Sequence, residues 1–251
     1  MKNKIILITG STSGFGEAIS LRLAKKGARI IAAGRRLNKL LKLQKKFGLD
    51  NILPLELDVR DQKKVFEAIN SLKKEWSDID ILINNAGLAK GLNSSDDTKM
   101  EHWNEMVDTN CKGLMYVTRA VLPTMSKKNK GHIINIGSVA GTYPYFGGNI
   151  YGASKAFVHH FSLNLRADLA DKNIRVTSLE PGAAETEFSI VRFDGDKDKA
   201  KKTYDGFEPI EAENIAEIVE FVINSPKNIN LNRIEVMANN QTFAGFKFIK
   251  N

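Results

Sequence analysis

The sequence predicts an α/β fold: an open, doubly wound parallel sheet of seven strands with helices on both faces. Three observations predict it. Short apolar, β-branched runs alternate with amphipathic stretches of helical period along the chain. Those runs lack polar alternation, the mark of strands buried on both faces. A glycine-rich turn from Gly10 to Gly16 follows the first run and opens the first helix, as in a nucleotide-binding βαβ unit. At 251 residues the chain is expected to form one domain, 1–251.

Composition narrows the function classes. With 42% hydrophobic and 26% charged residues, the chain is not of the disordered kind. No apolar run approaches the roughly 18 residues of a membrane span, so no membrane partner is expected. The N-terminal run lacks a signal cleavage site and reads as a strand. Cys111 is the single cysteine, so no internal disulfide can form and the cytoplasm is the expected setting. It reads as a packed small hydrophobe, because no His or CxxC supports a nucleophile. The net charge of +8 comes from scattered lysine pairs without interleaved aromatics. That describes a solvated surface with some pull on anionic metabolites, and no nucleic acid is expected. His102, His132, His159 and His160 lack ligand spacing, so no metal is expected.

In order, Lys4 to Thr9 is the first strand and Glu17 to Lys26 the first helix, which stops at Gly27. Gly10 allows a sharp turn, and the later glycines let backbone N–H groups approach a pyrophosphate at the helix N-terminus. The spacing is Gly-x-x-x-Gly-x-Gly. The second strand, Arg29 to Ala33, runs into Gly34-Arg35-Arg36, where an NAD site would carry a carboxylate for the ribose 2′-OH. Two guanidiniums there suit a 2′-phosphate, which points to NADP(H). A helix at 37–47 leads to a third strand at 52–57. Asp58 follows it and can accept from an adenine amino group, cap the next helix, or do both. That helix is expected over 61–76. A fourth strand, 80–84, enters Asn84-Asn85-Ala86-Gly87, residues suited to backbone passing close to a ligand.

A long helix over 100–125 should be interrupted near Asn110 and Gly113, since Asn competes for backbone bonds. The fifth strand, 131–138, delivers Ser138 to the carboxyl edge of the sheet. A helix at 150–169 carries Tyr151 and Lys155, which share a face at i and i+4. A phenol of pKa about 10 is a poor proton-transfer group at neutral pH, and a neighbouring ammonium favours the phenolate. The pair by itself also fits an amphipathic helix with a buried Tyr and an exposed Lys. A sixth strand, 174–179, ends in Glu180-Pro181-Gly182. Residues 183–207 are charged and weakly periodic, a candidate lid. A helix over 211–224 and a strand over 231–237 complete the pattern.

Taken together, Thr9-Gly10-x-x-x-Gly14-x-Gly16, Asn84-Asn85-Ala86-Gly87, Asn110, Ser138, Tyr151-x-x-x-Lys155 and Pro181-Gly182 resemble the short-chain dehydrogenase/reductase family. The resemblance spans nearly the whole chain in the right order and implies a Rossmann fold. Within the family the chain is similar to the bacterial NADP-dependent 3-hydroxy acid dehydrogenases, which act on serine and L-allo-threonine and reduce malonic semialdehyde. The similar stretches include TGSTSGFGEAI, AAGRR, LDVRD, IDILINNAGLA, GHIINIGSVAG and TEFSIVRF. One departure is AAETEF after Gly182, a residue shorter than in those relatives.

The resemblance implies NADP(H) bound by Gly10, Ser11, Thr12, Ser13, Gly14, Phe15 and Gly16, by Arg35, Arg36, Asp58 and Val59, and by Asn85, Ala86, Gly87, Pro181, Gly182 and Thr186, with Tyr151 and Lys155 on the nicotinamide ribose. It implies Tyr151 as general acid and base, Lys155 lowering its pKa, Ser138 fixing the substrate oxygen, and Asn110 supporting a water in the proton path. Ser138 and Tyr151 would hold the substrate. A carboxylate substrate also needs a cation. Arg192 is the candidate, with Lys199, Lys201 and Lys202 as alternatives and a plain exposed loop Arg as the simpler reading. A 3-oxoacyl-[acyl-carrier-protein] reductase and a non-catalytic NADP-binding sensor are the competing expectations. A homotetramer built through the long helices is the expected assembly.

Overall fold

A computed structural model describes residues 1–48 and 51–243; the expected domain 1–251 includes residues outside that range. The order is β1 (Ile5–Thr9), α1 (Gly14–Lys25), β2 (Arg29–Gly34), α2 (Leu37–Phe47), β3 (Ile52–Glu56), α3 (Gln62–Asn70), α4 (Lys74–Ser77) and β4 (Ile81–Asn84). Then come α5 (Met100–Val107), a π-helical turn (Asp108–Gly113), α6 (Leu114–Lys127), β5 (Gly131–Ile136), α7 (Asn149–Asp168) and β6 (Ile174–Pro181). Two short helices, α8 (Glu187–Arg192) and α9 (Lys197–Lys202), precede α10 (Ala212–Asn224) and β7 (Arg233–Val236).

The seven strands form one sheet in the order β3-β2-β1-β4-β5-β6-β7, every pair parallel. The chain winds outward from β1 to β3, then restarts beside β1 with β4. Ligands of such sheets bind at the carboxyl ends of the strands flanking that reversal. Successive residues on a strand point to opposite faces, and the core follows that rule. Ile6, Ile8, Ile30, Ile81 and Ile83 pack under α1, α2 and α10, with Ile19, Leu23, Leu40 and Val219. Ile5, Leu7, Ile31, Leu82 and Ile133 pack against the other layer, with Val65 of α3, Val121 of α6 and Leu165 of α7. No helix among the described residues is long and apolar enough to cross a membrane.

Several boundaries differ from the sequence reading. Helix α1 begins at Gly14, inside the glycine-rich turn, with Ser13 extended ahead of it. The helix expected over 61–76 is two, α3 and α4. Asn70 and Ser71, which compete for backbone bonds, end the first. The second turns Trp76 inward, where the Arg29 guanidinium stacks 4.2 Å above its ring. Strand β5 stops at Ile136, so Ser138 sits in the turn beyond it, while β6 runs on to Pro181 and β7 is shorter than expected. The candidate lid holds two helices rather than irregular chain. The interruption expected near Asn110 is the π-helical turn.

Candidate active site

The turn after β1 and the start of α1 form one end of a cleft of about 590 Å³ along the carboxyl edge of the sheet. No side chain caps α1, so its first N–H groups have no helical acceptor and face the cleft as anion donors. Gly10 has φ +70°, and a Cβ there would stand 2.8 Å from Asn85 Nδ2. A Cβ on Gly34 would stand 2.8 Å from Thr12. Asn85 and Thr9 staple the ends of β4 and β1: Asn85 Nδ2 donates to the Thr9 carbonyl at 2.8 Å, while the backbone N–H groups of Asn85 and Ala86 donate to Thr9 Oγ1 at 3.0 Å. Bare backbone approaches the cleft here, which fits a dinucleotide phosphate.

Most of the expected cofactor residues border this cleft: Gly10, Thr12 to Phe15, Arg35, Arg36, Asp58, Val59, Asn85 to Gly87, Pro181, Gly182 and Thr186. Ser11 and Gly16 do not. The Ser11 hydroxyl turns inward to the Ile8 carbonyl at 2.8 Å, and a Cβ on Gly16 would collide with the Gly10 carbonyl. Both hold the turn together instead of facing a ligand. Asp58 does not cap the next helix; Asp61 does, accepting from the Lys64 N–H at 3.1 Å. The Asp58 carboxylate is gripped by Arg60 at 2.6 Å, and despite burial, which would raise its pKa, that guanidinium keeps it below the usual range. Arg36 clasps the turn through Thr12 Oγ1 at 2.9 Å and Ser13 Oγ at 2.7 Å. Its other nitrogen pairs with Glu187 of α8 at 2.8 Å, and Lys39 binds the same carboxylate at 2.7 Å. Glu187 was not legible as a site residue, because its partners lie about 150 positions away.

At the other end Ser138, Tyr151 and Lys155 meet. Tyr151 and Lys155 are both buried on the inner face of α7, the lysine Nζ 5.9 Å from the phenol ring centroid. Lys155 donates to the Ile136 carbonyl at 2.8 Å. A Cβ on Gly87 would stand 3.4 Å from Lys155 Nζ and 3.2 Å from Asn110 Oδ1, so these groups converge where β4 ends. The Asn110 amide makes three hydrogen bonds. Its Oδ1 accepts from the Leu88 N–H, and its Nδ2 donates to the Leu88 carbonyl and Ser154 Oγ, each at 2.9 Å. The side chain therefore clamps the loop after β4, with both its N–H groups used and one Oδ1 lone pair left as an acceptor. Ser138 Oγ accepts from the Ala140 N–H at 3.1 Å.

The expected depression of the phenol by Lys155 is not what the geometry gives. Burial pushes Tyr151 up to about 12, partly countered by the Arg192 guanidinium and a hydrogen bond with Ser138. Burial also lowers Lys155 to about 8. Desolvation opposes charge on both groups. The nearer cation over the phenol is Arg192, its Cζ 5.2 Å from the ring centroid. Lys201 and Lys202 are exposed on α9, and Lys199 pairs with Asp196, so none of the three alternatives lines the cleft. Tyr145 and Phe188 were missed. The Arg192 guanidinium reaches Tyr145 Oη at 3.4 Å, and the Phe188 ring packs 5.7 Å from that of Tyr151.

A phosphate-cradling turn at one end of a cleft and a buried Tyr–Ser–Lys set at the other define a dinucleotide-linked oxidoreductase site. The family model for short chain dehydrogenases matches residues 4–196, and the chain belongs to that family. It is 51% identical over 242 residues to the NADP-dependent 3-hydroxy acid dehydrogenase of Salmonella typhi, covering 96% of this chain and 97% of that one. It is 46% identical over 242 residues to the serine 3-dehydrogenase of Rhizobium radiobacter, covering 96% of each. The solved closed form of serine dehydrogenase complexed with NADP+ superposes with a TM-score of 0.96 at 49% identity, covering 98% of this chain and 99% of that one.

Proposed function

We propose that this chain, acting as one domain, is an NADP(H)-dependent oxidoreductase. It interconverts a 3-hydroxy acid of the serine, L-allo-threonine or 3-hydroxypropionate type with its 3-oxo acid. One observation carries the reading: Ser138, Tyr151, Lys155 and Arg192 border the same cleft as the glycine-rich turn and Arg36. The names of the relatives support the substrate class.

The uncapped start of α1 and the bare backbone at Gly10 would hold the pyrophosphate, and Arg35 and Arg36 the 2′-phosphate. Lys155 has three donors, one spent on Ile136, which leaves two for ribose hydroxyls. When bound, NADPH supplies hydride to the carbon bearing the substrate oxygen. Ser138 orients that oxygen and Tyr151 delivers a proton to it; in oxidation Tyr151 takes the proton back. A neutral phenol, which burial favours here, is the state that donates. Asn110, whose Oδ1 keeps one free lone pair, would support a water in the proton path. The same reading places the enzyme in the cytoplasm as a homotetramer. The single cysteine supports the compartment. The half-exposed outer faces of α6 and α7, with Met115, Leu163 and the stacked Phe157–Phe161 pair, support assembly through those helices.

Initial rates with NADP+ or NAD+ against L-serine, L-allo-threonine, 3-hydroxyisobutyrate and, in reverse, malonic semialdehyde test the function. NADP+ should be preferred by at least about tenfold in kcat/KM, the effect of one good charged contact. Turnover of acyl thioesters alone would transfer the chain to the acyl-carrier reductases. NADPH binding without turnover of any carbonyl would make it a binding protein.

A further inference from the structure

Arg192 is a cation in the cleft held by aromatic groups rather than by an anion. It ends α8, its Cζ lying 5.2 Å from the ring centroids of both Tyr151 and Phe188. Its Nη2 reaches a phenol oxygen, that of Tyr145, at 3.4 Å. Its Nε is buried and has no hydrogen-bond partner among the described residues. Two carboxylates of the same segment are taken: Asp194 by Lys90 at 2.7 Å, and Glu187 by Arg36 and Lys39. A buried donor on a charged group is costly to leave without an acceptor. The backbone at this point is fixed, since the Arg192 carbonyl accepts from the Gly91 N–H at 2.8 Å. That bond ties the segment to the loop whose Leu88 and Ala89 pack on Tyr151.

We propose that Arg192 anchors the substrate carboxylate, so that the site selects free 3-hydroxy and 3-oxo acids over their esters, amides and acyl thioesters. The proposal rests on the hydroxy-acid reading above and adds to it the residue that enforces it. The two Nη groups of a guanidinium present parallel donors that a carboxylate accepts bidentately. In a 3-hydroxy acid one carbon separates the carboxylate carbon from the carbon that reacts. Arg192 lies over the phenol at a range that such a short acid spans, with its C3 oxygen toward Tyr151 and Ser138. An ester or thioester keeps the reacting group but loses the charge and the second strong acceptor, and would leave the guanidinium without its counterion.

The test compares a free 3-hydroxy acid with its methyl ester in the wild type, Arg192→Lys and Arg192→Met, with NADP+ affinity measured by titration as a check on folding. The wild type should prefer the acid strongly. Arg192→Met should lower kcat/KM for the acid by about 10²-fold, mostly through KM, the size expected when one partner of a buried charge pair is truncated. The acid-to-ester preference should collapse with it, and Arg192→Lys should recover part of both. Equal losses on acid and ester, or a preference that survives in Arg192→Met, would overturn the anchor while leaving the hydroxy-acid function standing. A wild type that oxidises no 3-hydroxy acid would overturn both.

Discussion

Tyr151 shows how far burial can override a sequence motif. The i, i+4 spacing puts an amine beside a phenol, yet both are desolvated, and the phenol sits near 12 instead of below 10. A raised pKa in the folded chain means that stability from the neutral phenol is complete below about pH 10 and is lost as pH climbs toward 12. Neutral Tyr151 is thus the resting form, ready to donate in the reductive direction. Tyr151→Phe should cut turnover by at least about 10²- to 10⁴-fold, the usual worth of a positioned proton-transfer group. Fluorescence titration of NADPH should still show binding, and near-normal turnover would remove Tyr151 from the mechanism. His132 makes the opposite case. It is buried in β5 beside Thr177 Oγ1 at 3.0 Å, and burial lowers it to about 3. Its folded value is depressed, so its contribution is present above about pH 6.5 and is lost as pH falls toward 3. Urea unfolding of the wild type should therefore weaken between pH 6.5 and 4, by up to about 1.4 kcal/mol per pH unit from this group. In His132→Asn that slope should shrink, and an unchanged slope would place the acid sensitivity elsewhere.

Among the elements, α8 joins both ends of the cleft. Its first residue, Glu187, occupies Arg36 and Lys39, and its last, Arg192, lies over Tyr151. Thr186 caps it, accepting from the Phe188 N–H at 3.2 Å, and a Cβ on Gly14 would stand 3.2 Å from the Thr186 Cβ. Lys39 and Arg36 hold Glu187 down near 2, so it is ionised at neutral pH. A 2′-phosphate then competes with this carboxylate for Arg36. The pair is partly exposed, and exposed ion pairs contribute about 0.2–1 kcal/mol. Glu187→Gln should accordingly tighten NADP+ binding by up to about fivefold, with NAD+ little affected, in a calorimetric titration. Weaker NADP+ binding in that variant would mean that Glu187 supports the phosphate site.

For the molecule as a whole, stability resides in a sheet closed on both faces. Leu7 is fully buried in β1, the strand on which the two halves of the sheet meet. Leu7→Ala should cost about 2–5 kcal/mol in chemical unfolding, with KM for cofactor and substrate unchanged below the transition. A change in KM would tie the core to the cleft more closely than the layered packing implies. The buried Glu180 of β6 links the edge strand β7 to the catalytic helix: Oε1 meets His159 Nδ1 of α7 at 2.6 Å, and Oε2 accepts from Arg233 of β7 at 2.8 Å. That hydrogen-bond network holds β6, β7 and α7 in one arrangement beside Pro181 and Gly182.

The sequence by itself determined what local chemistry encodes. Apolar runs without alternation specify strands buried on both faces, glycine spacing specifies the phosphate turn, and Tyr151 and Lys155 share a helical face because of the 3.6-residue period. Asn110 marked the break in its helix for the same kind of reason: its side chain competes for backbone bonds. Only the tertiary structure decided how the lid meets the site. Arg36 and Glu187 are 151 positions apart, and Arg192 reaches Tyr151 from a different element, so no spacing rule announces either contact. Nor could a motif reveal that Lys155 turns to the Ile136 carbonyl. The charge state of a phenol or an amine depends on how much water the surrounding layers exclude, and that exclusion exists only once the chain has packed.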